Sequence, residues 1–392
     1  MRELTQCVVN PPLEDTGFAS LSVPTFRAST IVFDNAQQYA ERSKRGPDGY
    51  TYGLHGTPTT RALEARITAL EGGVRTALMP SGQAAIAVVL LTVLRPGDSV
   101  LVPDTVYPPV RGLAENFLKD FGIRYDVYDP CVAAGISDLI GEHTRLVWVE
   151  SPGSTSMEIQ DVPAIVAAAK AKGVLVGCDN TWATPLYFKP LAHGVDFSME
   201  AITKYVGGHS DLLMGSVSVS TIEMHRRLKA TMRMLGMGVS PDDCFLALRG
   251  LETMGVRLTH AGKTALALAE ELCTHPAVEQ MLHPGLPSCP GHALWKRDFS
   301  GSSGVFSIVL KDGCDQAIGQ VLDGLKVFRI GASWGGTHSL IAPMSIAKDR
   351  ALSNWSASSV ILRVSIGLED PEDLREDLLA LLEGVISADV PA

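Results

Sequence analysis

The chain has 392 residues, of which 46% are hydrophobic and 19% are charged, and its formal net charge is −10. This composition excludes a disordered chain, and the negative charge argues against nonspecific nucleic-acid binding, which needs a basic surface. The length is enough for two or three subdomains.

The cysteines and the apolar segments predict a soluble cytoplasmic protein. Seven cysteines are scattered along the chain and form no CxxC motif, which is typical of reduced thiols. The histidines form no HExxH motif or Cys/His cluster, so we expect no metal site. The first 17 residues lack the apolar core of a signal peptide, and the most apolar run, residues 84–94, is far shorter than the ~20 residues of a membrane span.

Between about residue 60 and residue 220, short apolar runs alternate with helical patterns. One predicted helix places Leu63, Ile67 and Leu70 on one face and ends at Gly72-Gly73, and a nearly all-apolar helix follows Ser81-Gly82. A further helix covers residues 161–173. Four candidate strands are SVLVPDT (99–105), RLVWVE (145–150), VLVGCD (174–179) and FSMEAITK (197–204). Their almost continuous apolar character indicates an α/β fold, with a mostly parallel sheet covered by helices on both faces.

The pattern changes after about residue 245. A long helix around residues 257–272 is followed by strands at 304–310, 326–331 and 359–367, and a last helix begins at Asp370-Pro371. We therefore predict a smaller α+β domain over residues 246–392, a large ligand-binding domain over residues 49–245 and an N-terminal arm over residues 1–48.

Four polar residues fall at the ends of predicted strands: Asp104, Glu150, Asp179 and Lys204. In open α/β sheets, ligands bind outside the carboxyl ends of the strands. Lys204 lies in the stretch AITKYVGGHSD, where two glycines allow close backbone approach, so it is either a solvated lysine or a nucleophile. Asp179 is either a turn residue or a carboxylate that keeps a heteroaromatic nitrogen protonated.

Two further features are weak by themselves. The Ser81-Gly82 turn opens a helix, where free backbone N–H groups can bind a phosphate, although an ordinary N-cap is the more frequent explanation. Tyr107 is either a rim aromatic or a ring stacked on a planar ligand. Together with Lys204 and Asp179, these features supply what pyridoxal 5′-phosphate (PLP) chemistry requires.

The segment GCDNTWATPLYFKPLAHGVDFSMEAITKYVGGHSD (177–211) closely resembles the PLP segment of the Cys/Met-metabolism family of fold type I enzymes. The resemblance runs from residue 24 to residue 370 and implies the PLP-dependent transferase fold, which is similar to that of aspartate aminotransferase. Within the family, the motifs at 151–166, 200–211 and 332–341 most resemble the bacterial branch that cleaves L-cystathionine at Cβ.

The resemblance implies roles for individual residues. Lys204 would carry the cofactor and, once freed by substrate, transfer the proton, while Asp179 would pair with the pyridinium nitrogen. Gly82 and Gln83 would donate backbone N–H groups to the phosphate, with help from the Thr203 hydroxyl.

Further roles concern the ring, the substrate and a second subunit. Tyr107 would stack on the cofactor ring and assist proton transfers. Arg363, which by itself reads as a surface arginine at a strand end, would bind the substrate α-carboxylate, with Ser333 and Trp334 nearby. Tyr52 would reach the phosphate of a neighbouring subunit, which implies a homo-oligomer, a homotetramer built from dimers that share active sites.

The sequence departs from the family at two positions. Many members have an arginine where this chain has Leu54, so one phosphate contact is missing unless His55 or Arg61 replaces it. Ala201 stands where a serine often precedes the lysine motif, and this change from serine resembles the β-lyase branch.

The implied activity is α,β-elimination of L-cystathionine to homocysteine, pyruvate and ammonia, a reaction of methionine biosynthesis. Ala332 and the motif SWGG differ from the acidic residue and SLGG of relatives with γ-chemistry, such as cystathionine γ-synthase or γ-lyase. A cysteine-S-conjugate β-lyase of broad specificity is a second alternative. A non-catalytic PLP-binding regulator is a third, although it would be expected to lose Lys204, Asp179 or Arg363.

Overall fold

Two β-sheets, one of seven strands and one of five, organise the part of the chain that is described. The computed structural model describes residues 17, 20–46, 48–313, 318–353, 355 and 360–387. Most of the first 19 residues of the predicted N-terminal arm, together with Cys7 and Cys314, lie outside these residues. The described part of the arm contacts the body of the chain, where the Phe26 amide donates a hydrogen bond to the Thr59 hydroxyl and Arg27 pairs with Asp242.

The large sheet has the strand order β1-β7-β6-β5-β4-β2-β3. Its strands are β1 (Arg75–Met79), β2 (Ser99–Pro103), β3 (Arg124–Tyr128), β4 (Thr144–Glu150), β5 (Leu175–Asp179), β6 (Phe197–Glu200) and β7 (Gly215–Val219). The pairs β2–β3, β2–β4, β4–β5 and β5–β6 are parallel, whereas β7 is antiparallel to both β1 and β6. The mostly parallel sheet predicted from the sequence is therefore confirmed.

Helices cover both faces of this sheet, as predicted. The α-helices of this part are α1 (Ala36–Ala40), α2 (Pro58–Glu71), α3 (Gly82–Val93), α4 (Pro108–Leu113), α5 (Ile136–Leu139), α6 (Val162–Ala171), α7 (Thr184–Tyr187) and α8 (Ile222–Met234). Along β4, Val147 and Val149 pack in one apolar cluster with residues of α2 and α6. Leu146 and Trp148 point the other way, into a cluster with residues of α3 and α8. Successive side chains of a strand alternate between faces, so a strand covered on both sides is apolar throughout.

The small sheet has the order β10-β11-β12-β9-β8. Its strands are β8 (Val278–Leu282), β9 (Val305–Leu310), β10 (Arg329–Ile330), β11 (Leu340–Met344) and β12 (Ile361–Ser365), and the helices of this part are α9 (Pro241–Leu272), α10 (His292–Asp298), α11 (Ile318–Asp323) and α12 (Pro371–Ser387). Helix α12 buries Leu374, Leu378, Leu381 and Val385 against this sheet, which is the face predicted from the sequence. The predicted domain boundary at 245/246 falls inside α9, and the three domain ranges stay a prediction.

The main difference from the sequence prediction lies just before the lysine. The predicted strand over residues 197–204 ends at Glu200, and residues 202–207 form a turn. Lys204 is therefore on a turn rather than on a strand. The sequence does not predict strands β1, β3, β7, β8 and β11. Serines, glycines or charged residues interrupt the apolar pattern of β3, β7 and β8, while β1 begins with Arg75-Thr76 and β11 contains Pro343.

Helix α9 packs directly on the turn that carries Lys204, and Gly250 makes this contact possible. A Cβ at Gly250 would lie 2.2 Å from the Val206 carbonyl oxygen and 2.4 Å from that of Gly207. These are backbone atoms, so a side chain at Gly250 would push the helix and the turn apart. At Gly255, five residues further along the same helix, an added Cβ would have no atom within 4 Å.

These two glycines form a matched pair for mutation. We expect Gly250→Ala to destabilise the protein by ~1–3 kcal/mol through overpacking. Gly255→Ala should stabilise it by ~0.5–1 kcal/mol, because alanine favours a helix interior more than glycine does. Thermal unfolding of both variants beside the wild type measures the two shifts. A Gly250→Ala protein as stable as the Gly255→Ala protein would contradict the packing described here.

Candidate active site

A cavity of about 270 Å³ lies at the carboxyl ends of β4 and β5. It is lined by residues from strands, helix starts and turns, which include Ser81, Gly82, Gln83, Tyr107, Glu150, Asp179, Thr203, Lys204, Trp334 and Arg363. The chain thus brings together eight of the ten predicted site residues around one space. Ser333 contacts Lys204 instead of lining the cavity, and Tyr52 lies elsewhere.

Lys204 is the only lysine among the described residues that line the cavity. Its amide donates a hydrogen bond to the Ala201 carbonyl, and its own carbonyl accepts one from Gly208, so the turn fixes the backbone on both sides. The Nζ atom lies 2.7 Å from the Ser333 Oγ and 5.3 Å from the centre of the Trp334 ring. Burial, with the charge of Arg363, lowers the pKa of Lys204 to about 8, although Asp179 opposes this.

Asp179 ends β5 and faces the same cavity. Its Oδ1 atom accepts hydrogen bonds from the Thr181 amide at 3.0 Å and the Thr181 hydroxyl at 2.5 Å. Burial raises the pKa of the Asp179 carboxyl, and the bonds from Thr181 and the charge of Lys204 act in the opposite direction. The Oδ2 atom has no hydrogen-bond partner among the described residues, so this carboxylate is able to bind a protonated ring nitrogen.

The start of α3 offers donors for an anion. The Ser81 Oγ caps the helix by accepting a hydrogen bond from the Ala84 amide, whereas the amides of Gly82 and Gln83 have no acceptor among the described residues. A Cβ at Gly82 would lie 2.9 Å from the Ala201 Cβ, so the helix start packs closely against the segment that leads to Lys204. Free amides at a helix N-terminus suit a phosphate group. Together with Asp179 and Lys204, they fit the parts of PLP.

The Thr203 hydroxyl is already engaged, which differs from its predicted role. It donates a hydrogen bond to the Met214 carbonyl at 3.1 Å and accepts one from the Met214 amide at 3.0 Å. A hydroxyl has a single proton to donate, so in this arrangement Thr203 has none for a phosphate. Its assignment to the phosphate stays a prediction that requires release of the Met214 carbonyl.

Tyr107, at the start of α4, and Arg363, on β12, both line the cavity. The Tyr107 amide donates to the Glu150 Oε2 at 2.7 Å, and burial, Asp179 and Glu150 raise the pKa of the Tyr107 phenol. Arg363 lies on β12 and donates from Nη2 to the Ala332 carbonyl at 2.6 Å. Its Nε and Nη1 have no acceptor among the described residues. The guanidinium therefore keeps donors free for a carboxylate.

Tyr52 does not line the cavity of its own chain, and it is 48% exposed. Arg61 does not supply the positive charge that is missing at the neighbouring Leu54, because its guanidinium is already bound. Its partners are Glu64 at 2.5 Å, the His55 carbonyl at 2.6 Å and the Asp48 carbonyl at 3.2 Å. Burial and the nearby cations, Arg233 first among them, lower the pKa of His55, so His55 is a poor source of positive charge.

Sequence reasoning names Asp104 and Glu150 as strand-end carboxylates but gives them no role. Asp104 does not line the cavity. Burial acts to raise the pKa of Asp104, but hydrogen bonds from the amides of Ala351, Leu352 and Ser353 outweigh it and hold that pKa below its usual value. Glu150 does line the cavity, and its position at a strand end is the available signal in the sequence.

Sequence comparison identifies the family. The profile of the Cys/Met metabolism PLP-dependent enzyme family matches residues 4–383. The chain belongs to this family, and PLP is its cofactor.

Relatives with different reactions are similar to this chain. The cystathionine β-lyase of Escherichia coli is 39% identical over 90% of this chain and 91% of its own length, and several other relatives carry the same name. An L-alanine/L-glutamate racemase of Wolbachia pipientis is 38% identical over 93% of this chain and 92% of its own. The structure of cystathionine γ-synthase from Xanthomonas oryzae pv. oryzae in complex with aminoacrylate and cysteine has a TM-score of 0.88 at 34% identity, covering 96% of both chains.

Membrane-spanning helices and metal sites are both absent from the residues that the structure describes. Within those ranges, no helix combines the length and apolar character required to cross a membrane. No group of three or more His, Cys, Asp or Glu side chains in the same ranges is placed to hold a metal ion.

The charge of Arg363 provides a test of the electrostatics at Lys204. Burial is the largest cause that lowers the pKa of Lys204, and the charge of Arg363 is the second. Arg363→Met should therefore move that pKa upward from about 8. Arg363→Lys keeps a positive charge and serves as the control, with a smaller change expected. The pH dependence of Lys204 acylation in cofactor-free protein, followed by peptide mass spectrometry, measures the midpoint. An unchanged or lower midpoint in Arg363→Met would show that the guanidinium does not act on this amine.

Proposed function

We propose that this enzyme is a carbon–sulfur lyase that converts L-cystathionine to homocysteine, pyruvate and ammonia by α,β-elimination. The observation that carries the proposal is the arrangement of Lys204, Asp179 and Arg363 around one cavity. The cavity wall at Ala332 has no acidic group that could remove a second proton from Cβ.

The residues that would hold the cofactor surround the cavity. Lys204 would bind it through Nζ, the amides of Gly82 and Gln83 would donate to its phosphate, and Asp179 would accept from its ring nitrogen. Tyr107 would lie against the ring. When bound, PLP supplies an electron-accepting ring that stabilises negative charge at the substrate Cα.

Lys204 is suited to move the Cα proton. When it is not bound to the cofactor, its ε-amino group would act as the base, and a pKa of about 8 leaves part of it unprotonated near neutral pH. The Ser333 hydroxyl, at 2.7 Å from Nζ, orients the amine. The Tyr107 phenol faces the same cavity and would assist the proton transfers.

The substrate would be held at both ends. Arg363, which keeps Nε and Nη1 without an acceptor among the described residues, would bind the α-carboxylate. Trp334 lines the cavity beside Ala332 and would pack against the distal part of the substrate, where no acid or base is needed for cleavage at Cβ. The recurrent β-lyase name among the relatives supports this assignment over the γ-synthase and racemase reactions.

A cysteine-S-conjugate β-lyase of broad specificity uses the same groups, and the two differ only in the preferred leaving group. The non-catalytic regulator is disfavoured because Lys204, Asp179 and Arg363 are all present and face one space.

We further propose a homotetramer built from dimers in which Tyr52 reaches the phosphate site of its partner subunit. The support is that Tyr52 is exposed and absent from its own cavity. Leu213, which lines the cavity, is 69% exposed, as expected of an apolar side chain at a subunit interface. The cytoplasmic location stays a prediction from the sequence.

The keto acid formed from L-cystathionine tests the reaction. We expect pyruvate and homocysteine from the wild-type protein, with little 2-oxobutyrate and cysteine, because the cavity wall at Ala332 has no acidic group that could remove a proton from Cβ. Lys204→Ala is the control and should lose turnover by several orders of magnitude, since it removes both the cofactor anchor and the base. Chromatography of the derivatised keto acids gives the ratio. Dominant 2-oxobutyrate would overturn the β-elimination proposal and leave the family assignment intact.

A further inference from the structure

Glu150 is a carboxyl group in the cavity that has no part in the reaction proposed above. It ends β4, lies beside Asp179 in the sheet and lines the cavity. Its Oε2 atom accepts a hydrogen bond from the Tyr107 amide at 2.7 Å, across 43 residues of sequence. The Glu150 side chain, on the large sheet, thus contacts the segment that carries Tyr107.

The segment around Tyr107 has few hydrogen bonds of its own. Tyr107 is the N-cap of α4, no side chain caps this helix, and Pro108 and Pro109 follow directly. Proline has no N–H group, so the first two positions of the helix cannot donate. Val110 donates to the Tyr107 carbonyl at 2.8 Å. Among the described residues, Glu150 is the acceptor of the Tyr107 amide.

A second contact connects the same segment to helix α3, at whose start the phosphate would bind. The Gln83 Nε2 donates a hydrogen bond to the Pro109 carbonyl at 3.0 Å. Gln83 also supplies one of the free amides at the start of α3. The two prolines are therefore held between the phosphate site on one side and Glu150 on the other.

The Glu150 carboxyl is suited to accept a hydrogen bond as a neutral acid. Burial and the neighbouring Asp179 raise its pKa well above the usual value, and the bond from Tyr107 and the more distant Arg350 offset this only in part. Two carboxylates side by side in a cavity disfavour double ionisation. An amide side chain of the same shape can replace a neutral acid as the acceptor.

We propose that Glu150 is a positioning residue that fixes Tyr107 at the cofactor site through its hydrogen bond to the Tyr107 amide, and that its acceptor oxygen, not a negative charge, performs this role. This inference rests on the role of Tyr107 in the proposed function, where the ring lies against PLP. Loss of the bond leaves an unpaired amide and a segment with two prolines that no longer holds the ring in one place.

Three substitutions test this proposal in the purified holoenzyme and in protein from which the cofactor has been removed. Glu150→Gln keeps an acceptor oxygen, Glu150→Leu has similar size and no acceptor, and Tyr107→Ala removes the ring. The PLP dissociation constant, measured by fluorescence titration of the cofactor-free protein, is the first readout, and the separate values of kcat and KM for L-cystathionine are the second.

We expect Glu150→Leu to raise the PLP dissociation constant by roughly 5- to 50-fold, the range for loss of one buried hydrogen bond. Glu150→Gln should stay within about threefold of the wild type. In the Tyr107→Ala background, Glu150→Leu should add little, because its effect passes through the missing ring. If Glu150→Leu does not fold, Glu150→Asp replaces it in the same comparison with Tyr107→Ala. The shorter side chain of Glu150→Asp moves the acceptor away from the amide.

Three results would overturn the proposal: a wild-type dissociation constant in Glu150→Leu, equal damage from Glu150→Gln and Glu150→Leu, or full additivity with Tyr107→Ala. If Tyr107→Ala alone leaves PLP affinity unchanged, the ring contact assumed for Tyr107 is wrong and the inference about Glu150 falls with it. The β-elimination proposal is tested separately, since the keto acid ratio does not depend on PLP affinity.

Discussion

A buried arginine holds the turn that carries Lys204, and the geometry of the site depends on this contact. Arg257 lies on α9 and donates from Nη2 to the Tyr205 carbonyl at 2.9 Å and to the Gly250 carbonyl at 2.8 Å, while its Nε donates to the Thr253 hydroxyl. No carboxylate pairs with it among the described residues. A buried charge without an opposite charge is unfavourable unless polar groups compensate it, and here backbone carbonyls of the turn and the helix do so.

This contact explains Gly208, one of the two glycines that follow the lysine, and Gly250 on α9. Gly208 has a φ of +71°, and a Cβ there would lie 1.9 Å from the Arg257 Nη1, so both the backbone conformation and the guanidinium exclude a side chain. Gly250 is needed for the approach of the helix from the other side. The turn and α9 therefore fit together only with glycine at these two positions. The Lys204 amine is then held near Ser333, Trp334 and Arg363, where burial lowers its pKa.

Much of this site could be predicted from the sequence, because its strands are buried on both faces and its motifs are specific. The ends of β4 and β5 follow from continuous apolar runs, and Asp179 could be placed correctly for that reason. The apolar pattern wrongly puts Lys204 on a strand because Ala201 and Ile202 continue that pattern past Glu200, whereas the chain turns to meet α9. A contact between segments far apart in sequence cannot be read from local periodicity.

The same limit applies to Glu150, Thr203 and Arg257. The bond from the Tyr107 amide to Glu150 and the pairing of Thr203 with Met214 depend on how strands and loops meet in three dimensions. Arg257 belongs to a helical pattern, and nothing in that pattern indicates that its guanidinium is buried. The small sheet could be predicted only in part, since β9 and β12 are apolar throughout most of their length, whereas Glu279 and Gln280 interrupt the apolar pattern of β8.

We propose that Lys204 is the residue that binds PLP covalently. Borohydride reduction of the holoenzyme, followed by digestion and peptide mass spectrometry, tests it most directly, because reduction makes the link between the cofactor and its lysine permanent. We expect a pyridoxyl group on the peptide that contains Lys204 and on no other lysine. A pyridoxyl group on a different lysine, or none on a protein that has bound PLP, would contradict it.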